Sequence, residues 1–523
     1  MAAYYPIKCP YCLKSHSNAS VRFNLRTASI KSVKDAKKPA EAPEASASEI
    51  YTPVTMSEFQ EEDGSSWDSA TEPDANSASG AAKKEKFPAE GLFTLAELEE
   101  IFGAENVRAE YKTVNALPAL TRSDYSGDLL TRVTLTVAED GKETVKMLTD
   151  RYCDCEGSPK LRESAGGVPS YVLLIMGSSN AGKTMFLLSL FHTLRRDGGY
   201  PLPPGGTTLS LEALSDRNAQ FPISAMEKEL FSKGTLPTST NRDNNEPLVM
   251  DVVIKFKTGA RNNALIYFRD MPGEHFTDTN SSSIKNISDQ FPLFDGFLLA
   301  LDPLTFEESV FQTTGQSGNE EQREYINRLR EVIVDKVIPN MPGSVISQPT
   351  AIIVTKGDMF FDKANIPLWK SRGIPPSNPV IASGLNSALA NKQESFDKAY
   401  FEEVNAGVLQ IIKKLSNNIP NFIETRFDNV FYTMISAMGT RPIQIEDRTV
   451  LTPTALSPWR VSDPMLRLFM LLNIIPRYDG TLVRASATET PEERKARKFR
   501  NNKLLNDWGE KYCGGWIQIP PDN

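Results

Sequence analysis

The sequence predicts a three-layer α/β protein with a mostly parallel, six-stranded sheet, preceded by a small N-terminal module that contains a β-hairpin. From residue 171 onward, short apolar runs alternate with longer amphipathic segments, which is the pattern of parallel strands joined by helices. Before that region, two stretches of alternating polarity flank Asp140-Gly141, a dipeptide that favours a tight turn. The chain is 40% hydrophobic and 24% charged, so it can bury a sizeable core.

Six short apolar runs predict the strands of the sheet. They are Tyr171–Met176, Leu248–Phe256, Ala264–Phe268, Gly296–Leu301, Ala351–Thr355 and Val430–Ile435. Longer amphipathic segments predict four helices, which are Gly182–Arg195, Glu320–Val337, Glu394–Ser416 and Pro464–Ile474. In the last helix four apolar residues recur at the spacing of a buried helical face, so we interpret them as core. They are Met465, Leu468, Phe469 and Leu472.

Ahead of the α/β region the sequence predicts one short helix and one hairpin. Thr94-Leu95-Ala96-Glu97 is a capping-box pattern that opens the helix, and Gly103 ends it. The hairpin strands are Leu129–Val137 and Thr144–Leu148. Residues from about 34 to 91 are dominated by Ala, Ser, Glu, Pro, Asp and Lys without apolar periodicity, which predicts a flexible, low-complexity insertion.

A length of 523 residues predicts about three domains at roughly 150 residues each. Changes in composition and pattern divide the chain into four parts. Residues 1–30 and 92–165 form the split N-terminal module, 31–91 the flexible insertion, 166–476 the α/β domain and 477–523 a C-terminal extension.

The charge balance and the apolar content exclude several classes of protein. With 58 Lys and Arg against 66 Asp and Glu, the net charge is −8, which argues against a general nucleic-acid-coating protein. The best transmembrane candidate, Met465–Ile475, is shorter than the roughly 18–20 apolar residues required and carries Arg467. The first residues lack the pattern of a secretory signal. Five cysteines are a low, odd count, so we expect a reducing, cytoplasmic setting.

The strongest motif follows the first predicted strand of the sheet. It fits G-x-x-x-x-G-K-[ST] without a mismatch and lies between a buried strand and a helix, the context that a phosphate-binding loop requires. In such a loop, backbone N–H groups and the helix N-terminus bind phosphate oxygens. Lys183 would reach the β- and γ-phosphates, and the Thr184 hydroxyl would ligate Mg²⁺. The loop residues are Gly177, Ser178, Ser179, Asn180, Ala181, Gly182, Lys183 and Thr184.

A second motif, Asp-x-x-Gly, follows the predicted strand Ala264–Phe268 and comprises Asp270 to Gly273. Asp270 can hold the Mg²⁺ through water, and the backbone N–H of Gly273 can sense a γ-phosphate. A glycine at that position also permits the loop to move, because it tolerates a wide range of backbone angles. The motif therefore predicts a segment that responds to the bound nucleotide.

Two further motifs indicate that the base is guanine. Thr355-Lys356-Gly357-Asp358 ends a strand, and the Asp358 carboxylate can accept both the N1–H and the exocyclic amine of guanine. Adenine lacks that donor pair, so Asp358 would select GTP over ATP, while the Lys356 stem would cover the base plane. Ser436-Ala437 ends the last strand and can offer a backbone N–H to guanine O6.

These motifs each follow a predicted strand. In their order along the chain they resemble the motifs of P-loop GTPases of the translation-factor and Ras-like class. The resemblance covers about residues 168–475 and implies a three-layer GTPase domain, a molecular switch that binds GTP or GDP with Mg²⁺. The family also carries a switch I threonine before the second strand, as a ligand of that Mg²⁺. Thr238 is the first choice for it and Thr240 the second, and a polar solvated loop is an equal alternative.

The sequence departs from that family at positions that matter for hydrolysis. The specificity motif begins with Thr355 where the family has Asn, which weakens one loop-tethering hydrogen bond. Glu274 stands where the family carries Gln or His; its carboxylate is awkward beside a γ-phosphate but can orient a water, a role that His275 could fill instead. Strand alternation points Arg269 away from the site. The resemblance thus implies a GTPase of low intrinsic activity with Lys183, Glu274 and His275 as candidate catalytic residues.

Four of the five cysteines form a second constellation, a C-x-x-C near the N-terminus and a C-x-C after the hairpin. Four thiolates would close a tetrahedral structural Zn²⁺ site with no open position. The alternatives are four unpaired thiols, or a redox pair at Cys9 and Cys12. His16 is a candidate substitute ligand, and Cys513 is interpreted as an inert thiol. The four are Cys9, Cys12, Cys153 and Cys155.

A split zinc ribbon that leads into a divergent GTPase domain resembles the architecture of bacterial proteins of the "double-GTPase" type, which are predicted parts of conflict or defence systems. The ribbon would then be a docking module for an unknown protein effector or assembly partner. Two alternatives stay open: a P-loop ATPase, and a nucleotide-binding scaffold with little hydrolysis. The basic run from Arg494 to Lys503 could contact nucleic acid, but a solvated helix is the better interpretation.

Overall fold

The structure is a computed structural model of the chain, and it forms two compact units. The larger unit comprises Met1–Asn18, Lys112–Leu129 and Cys153–Asn523, and the smaller unit comprises Ala19–Tyr111 and Leu130–Tyr152. The four-part division made from the sequence stays a prediction. The structure describes residues 5, 7–9, 11–25, 29–32, 91–112, 128–139, 142–155, 160–162, 164–178, 181–195, 199–202, 207–213, 223–236, 248–255, 261–270, 289–303, 306, 319–341, 345–362, 365–385, 398–416, 418–439, 443–445, 448–450, 456–472, 474–475, 490–493 and 495–496.

Strands and helices alternate through most of the larger unit. In chain order the strands are β1 Ile7–Lys8, β2 Ser15–His16, β3 Arg22–Asn24, β4 Ser29–Ser32, β5 Leu92–Thr94, β6 Val107–Lys112, β7 Leu129–Glu139, β8 Lys142–Leu148, β9 Arg151–Tyr152, β10 Ser170–Gly177, β11 Tyr200–Leu202, β12 Thr207–Ala213, β13 Leu248–Lys255, β14 Arg261–Asp270, β15 Gly296–Leu301, β16 Thr350–Val354, β17 Val430–Met434, β18 Ile443–Ile445 and β19 Arg448–Val450. The α-helices are α1 Leu95–Phe102, α2 Lys183–Leu194, α3 Ile223–Lys233, α4 Asn319–Val332, α5 Ile366–Ser371, α6 Pro379–Leu385, α7 Lys398–Leu415, α8 Asn418–Arg426 and α9 Asp463–Leu471. The six predicted strands and four predicted helices of the α/β region are confirmed within a few residues of their expected ends.

The smaller unit is an antiparallel β structure with one short helix. Its two sheets have the strand orders β5-β3-β9 and β4-β8-β7-β6, and the predicted hairpin is the pair β7–β8. The capping box at the start of α1 is confirmed, because the Thr94 hydroxyl accepts the Glu97 N–H at 3.3 Å and the Glu97 carboxylate accepts the Thr94 N–H at 2.7 Å. The helix ends at Gly103, whose φ of +83° favours glycine.

The main sheet of the larger unit has eight strands in the order β11-β12-β13-β14-β10-β15-β16-β17. The five strands from β14 to β17 in this order are parallel, whereas β11, β12 and β13 run antiparallel to their neighbours. The predicted number of six strands is therefore wrong by two. The missed strands β11 and β12 extend one edge, where neighbouring strands rather than a continuous apolar run set the pairing.

The strand β10 lies in the middle of this sheet and is buried along its whole length. Burial on both faces explains why its sequence is continuously apolar instead of alternating. One face packs with α2 and α9 in a single hydrophobic core that includes Leu173 and Ile175. The four residues predicted as core, in α9 and at its C-terminal cap, are all buried, which confirms that interpretation; they are Met465, Leu468, Phe469 and Leu472. Within the described ranges, no helix has the length and apolarity that a membrane crossing requires.

Truncation of a core side chain in α9 should measurably destabilise the larger unit. Leu468 is 0% exposed and Leu293 is 40% exposed in the same unit, so the two leucines make a matched pair. We expect Leu468→Ala to lower the free energy of unfolding by about 2–5 kcal/mol, because it removes buried methyl groups and leaves a cavity. Leu293→Ala should cost less than about 0.5 kcal/mol. Urea unfolding followed by circular dichroism measures both, and equal losses would show that α9 does not pack as described.

Candidate nucleotide site and cysteine cluster

The predicted phosphate loop begins where β10 ends, at the carboxyl edge of the parallel strands, where open α/β sheets bind ligands. Gly177 is required by space, because a Cβ there would lie 2.9 Å from the Ala300 carbonyl oxygen of the neighbouring strand. Gly182 is required by conformation, since its φ is +83° at the residue before α2. Ser179 and Asn180 lie outside the described residues.

Lys183 is buried at the first turn of α2 and points back over the loop. Its ammonium donates hydrogen bonds to the carbonyl oxygens of Gly177 at 2.9 Å and Ser178 at 3.2 Å. It also lies 3.9 Å from a carboxylate oxygen of Asp270. Thr184, the next residue of the helix, is half-buried. The structure therefore brings together a cation and a carboxylate, groups that bind phosphate and a hard divalent cation, at the start of the helix that carries Thr184.

Asp270 reaches this site because β14 pairs in parallel with β10. In the register of the two strands, Asp270 lies opposite Ile175, just before the loop begins. Gly273, Glu274 and His275 follow Asp270 but lie outside the described residues, as do Thr238 and Thr240. Their predicted roles stay predictions.

The motif predicted to recognise guanine lies at the same edge of the sheet, in the loops that follow β16 and β17. The Ser436 hydroxyl donates to a carboxylate oxygen of Asp358 at 2.6 Å and accepts the Gly439 N–H at 2.9 Å. The backbone N–H of Gly357 donates to the Ile435 carbonyl at 2.8 Å. These bonds join the loop after β16 to the loop after β17, so the carboxylate has a fixed orientation.

Thr355 and Lys356 are each tied to the end of β15. The Thr355 hydroxyl donates to the Leu301 carbonyl at 3.2 Å. The Lys356 ammonium lies 2.5 Å from the buried Asp302 carboxylate, and its backbone has a φ of +53°. Asp302 thus holds the lysine stem in place. No sequence motif includes Asp302, although a carboxylate directly after a buried strand was a usable signal.

Two contacts that sequence reasoning missed connect these loops to the rest of the unit. The Ser189 hydroxyl of α2 donates to the Ala437 carbonyl at 2.6 Å, which joins the helix of the phosphate loop to the Ser-Ala loop. Trp459 pairs with Ser436 through two backbone hydrogen bonds, of 2.8 and 3.0 Å. The Trp459 side chain is buried and packs edge-on to Phe361, with the ring centroids 4.8 Å apart. No local pattern in the sequence predicts either contact.

The four cysteines predicted to bind a metal lie together in the larger unit. Their sulfur atoms are all within 4.8 Å of one another, with Cys9 3.9 Å from Cys155 and Cys12 3.7 Å from Cys153. A tetrahedral zinc with Zn–S bonds of about 2.3 Å places its sulfurs about 3.8 Å apart, so these distances fit such an ion. Cys513 lies outside the described residues.

His16 lies against this cluster. Its Nε2 atom is 3.2 Å from the Cys153 sulfur and 3.7 Å from the Cys12 sulfur, while Nδ1 is 3.9 Å from Asp154. Contact with Cys153 raises the pKa of His16. The four sulfurs already make a complete ligand set, so His16 is placed to donate an N–H to a thiolate, as residues around metal ligands commonly do.

Burial and mutual contact keep two of the thiols protonated at neutral pH. Contact with Cys9, followed by burial, raises the pKa of Cys153 to about 12. Burial, followed by contact with Cys153, raises the pKa of Cys155 to about 12. A protonated thiol is a poor nucleophile, and a divalent cation would displace its proton to bind the thiolate form.

Neither a family model nor a curated protein sequence matches this chain. Among solved structures, it is similar to the signal recognition particle receptor SRb-GTP/SRX complex from Chaetomium thermophilum, with 13% identity, coverage of 53% of this chain and 93% of that chain, and a TM-score of 0.22. It is also similar to the S. cerevisiae Ski7 GTPase-like domain bound to GTP, with 13% identity, coverage of 60% of this chain and 52% of that chain, and a TM-score of 0.23. The chain thus spans about half the length of the Ski7 chain. Because these TM-scores are low, the geometry of the site carries the functional conclusion.

Proposed function

We propose that the chain is a guanine-nucleotide-binding molecular switch that hydrolyses GTP slowly in the presence of Mg²⁺. One observation carries the proposal. At a single edge of the sheet, Lys183 lies 3.9 Å from Asp270, and Ser436 holds the Asp358 carboxylate at 2.6 Å. The first pair suits a metal-bound phosphate group, and the second suits a purine with two adjacent N–H donors.

The phosphate half of the site uses backbone and side-chain donors. The N–H groups of residues 177–184, at the start of α2, would bind the phosphate oxygens. Lys183 would exchange its bonds to loop carbonyls for bonds to the β- and γ-phosphates. Thr184 and Asp270, with Thr238 from the sequence pattern, would hold Mg²⁺. Bound there, Mg²⁺ supplies positive charge that offsets the phosphate oxygens.

The base half of the site depends on the orientation of one carboxylate. Each carboxylate oxygen has two lone pairs, so Asp358 can accept from Ser436 and still accept both guanine donors. The Lys356 stem, held by Asp302, would lie along the base, and the Ala437 N–H would donate to O6. The Thr355 bond to Leu301 supports the loop where the GTPase resemblance implies an asparagine.

The switch proposal rests on the segments next to the γ-phosphate. A bound triphosphate would order the residues around Thr238 and from Asp270 to Glu274, and loss of the γ-phosphate would release them. Glu274 or His275 would orient the attacking water. Two alternatives have distinct outcomes in the tests below: a P-loop ATPase would not prefer guanine, and a scaffold would bind GTP without hydrolysing it.

The first test is a competition of nucleotides for the base site. Fluorescent GDP bound to the full chain with Mg²⁺ should be displaced by GTP at concentrations orders of magnitude below those of ATP. Asp358→Ala should remove most of this preference, because two hydrogen bonds to a charged group, worth about 1.5–3 kcal/mol each, are lost. Asp428→Ala, at an exposed aspartate, is the matched control and should leave the preference intact. Equal competition by ATP would rule out guanine recognition.

The second test concerns the rate of hydrolysis. Single-turnover measurements with GTP should show slow conversion in the wild-type chain, since the Glu274 carboxylate repels the γ-phosphate. Glu274→Gln removes the charge and keeps the ability to orient water, so we expect the rate constant to rise by about tenfold, or about 1.4 kcal/mol of barrier. A lower rate would instead assign Glu274 a direct role. No hydrolysis by either form would favour the scaffold.

We also propose that the cysteine cluster binds one structural Zn²⁺. The fit of the sulfur distances to a tetrahedral ion supports this. The ribbon assigned to residues 1–30 and 92–165 would then be a docking module for an effector or assembly partner. A reducing, cytoplasmic setting suits such thiols. With such a ribbon the architecture would resemble that of the bacterial conflict or defence proteins named above, and a role in such a system is part of this proposal.

Metal analysis tests the zinc site. The purified chain should contain one Zn²⁺. Loss of a hydrogen-bond partner of a metal ligand lowers metal affinity by about tenfold to hundredfold. Cys12→Ser removes a ligand itself, so it should lower the zinc affinity by more than that. Cys513→Ser is the matched control and should keep full zinc content. Affinity should fall as the pH is lowered from 8 to 6.5, because protons compete for the thiolates. Equal zinc content in both variants would contradict the four-cysteine site.

A further inference from the structure

The loop that carries the first two cysteines is bonded to the strand that leads into the phosphate loop. Lys8 directly precedes Cys9, and its ammonium lies 2.5 and 2.6 Å from the two carboxylate oxygens of Asp295. Asp295 in turn accepts the Val172 N–H of β10 at 2.7 Å. Lys8 and Asp295 are both largely buried, so this ion pair is shielded from solvent.

The same loop is bonded to the strand that carries Asp270. Tyr11 stands between Cys9 and Cys12, and its carbonyl oxygen accepts a hydrogen bond from the Arg269 guanidinium at 3.0 Å. Arg269 is the residue before Asp270, so the two side chains leave opposite faces of β14. One faces the cysteine loop and the other faces Lys183. Arg269 and Asp270 share the backbone at the end of β14, so a bond made by the first side chain bears on the position of the second.

We propose that Arg269 is a positioning residue through which metal at the cysteine cluster sets the position of Asp270, and with it the affinity for Mg²⁺-bound nucleotide. This inference rests on the proposed nucleotide and zinc sites. Metal bonds to Cys9 and Cys12 fix the turn between them, so the Tyr11 carbonyl is a rigid acceptor. Without those bonds the turn keeps its backbone bonds, such as Leu13 N–H to the Cys9 carbonyl at 2.9 Å, but loses its anchor to Cys153 and Cys155.

Coupling between two binding sites is reciprocal, which makes the proposal testable in both directions. We would titrate Mg²⁺ into the full chain with fluorescent GDP, once loaded with zinc and once after zinc removal. The Mg²⁺ concentration for half-saturation should rise by about fivefold or more on zinc removal, the lower end of typical coupling between sites. In Arg269→Gln the zinc-loaded value should already be raised, and zinc removal should change it by less than about twofold. Arg269→Lys, which keeps one donor, should restore part of the zinc dependence.

The reverse measurement follows zinc instead of Mg²⁺. The zinc affinity of the GDP-bound wild-type chain, measured by competition with a chromogenic chelator, should increase by the same factor when Mg²⁺ is added. It should not change in Arg269→Gln. The control is Arg328→Gln, which removes an arginine paired with Glu331 at 3.2 Å on α4 and should keep the wild-type coupling.

The outcomes separate this inference from the proposed function. If the wild-type chain binds both zinc and guanine nucleotide but neither affects the other, the inference is wrong and the proposed function stands. Coupling that persists in Arg269→Gln also overturns it, because another route would then carry the effect. If the chain binds no zinc or no guanine nucleotide, the proposed function fails first, and the inference falls with it.

Discussion

The structure of the larger unit depends on the two-sided burial of its central strand. Every residue of β10 is buried, and the strand pairs in parallel with β14 on one edge and with β15 on the other. A strand held in this way cannot shift along its axis without breaking two hydrogen-bond ladders and moving apolar side chains out of both layers. The end of β10 at Gly177 is therefore held in place, and so are the start of α2 with Lys183 and the paired end of β14 with Asp270.

The loops around Asp358 are not held by one central strand. Short hydrogen bonds between the loops hold them instead. Ser436 links the loops after β16 and β17, Ser189 links the second of them to α2, and Asp302 holds Lys356 from the end of β15. Each of these bonds joins residues far apart in sequence. The carboxylate of Asp358 is thus oriented by a network that includes the helix of the phosphate loop, so the two halves of the site form one framework.

The parts of this site that were predictable from sequence are those whose functional groups all lie in one short, continuous segment. The loop from Gly177 to Thr184 needs only a strand, a turn and a helix, and all three are visible in the sequence. The strand β11 was missed because it is only three residues long and contains Pro201. The strand β12 has the alternating polarity of a half-buried strand, so its sequence did carry a usable signal. Trp459 was missed because its contacts are tertiary and no sequence pattern predicts them. Asp302 directly follows a buried strand, a signal that was present in the sequence.

The separation of the two cysteine pairs along the chain has a consequence for how the protein is made. Cys12 and Cys153 lie 141 residues apart, so the cluster closes a loop that contains the whole smaller unit. At a synthesis rate of about 5–20 residues per second, the first pair would wait on the order of ten to thirty seconds for the second to emerge. During that interval two thiols are exposed without their partners. Under the zinc proposal, metal binding would end that interval, and the chain segment of the smaller unit would then begin and end at the same four-cysteine cluster.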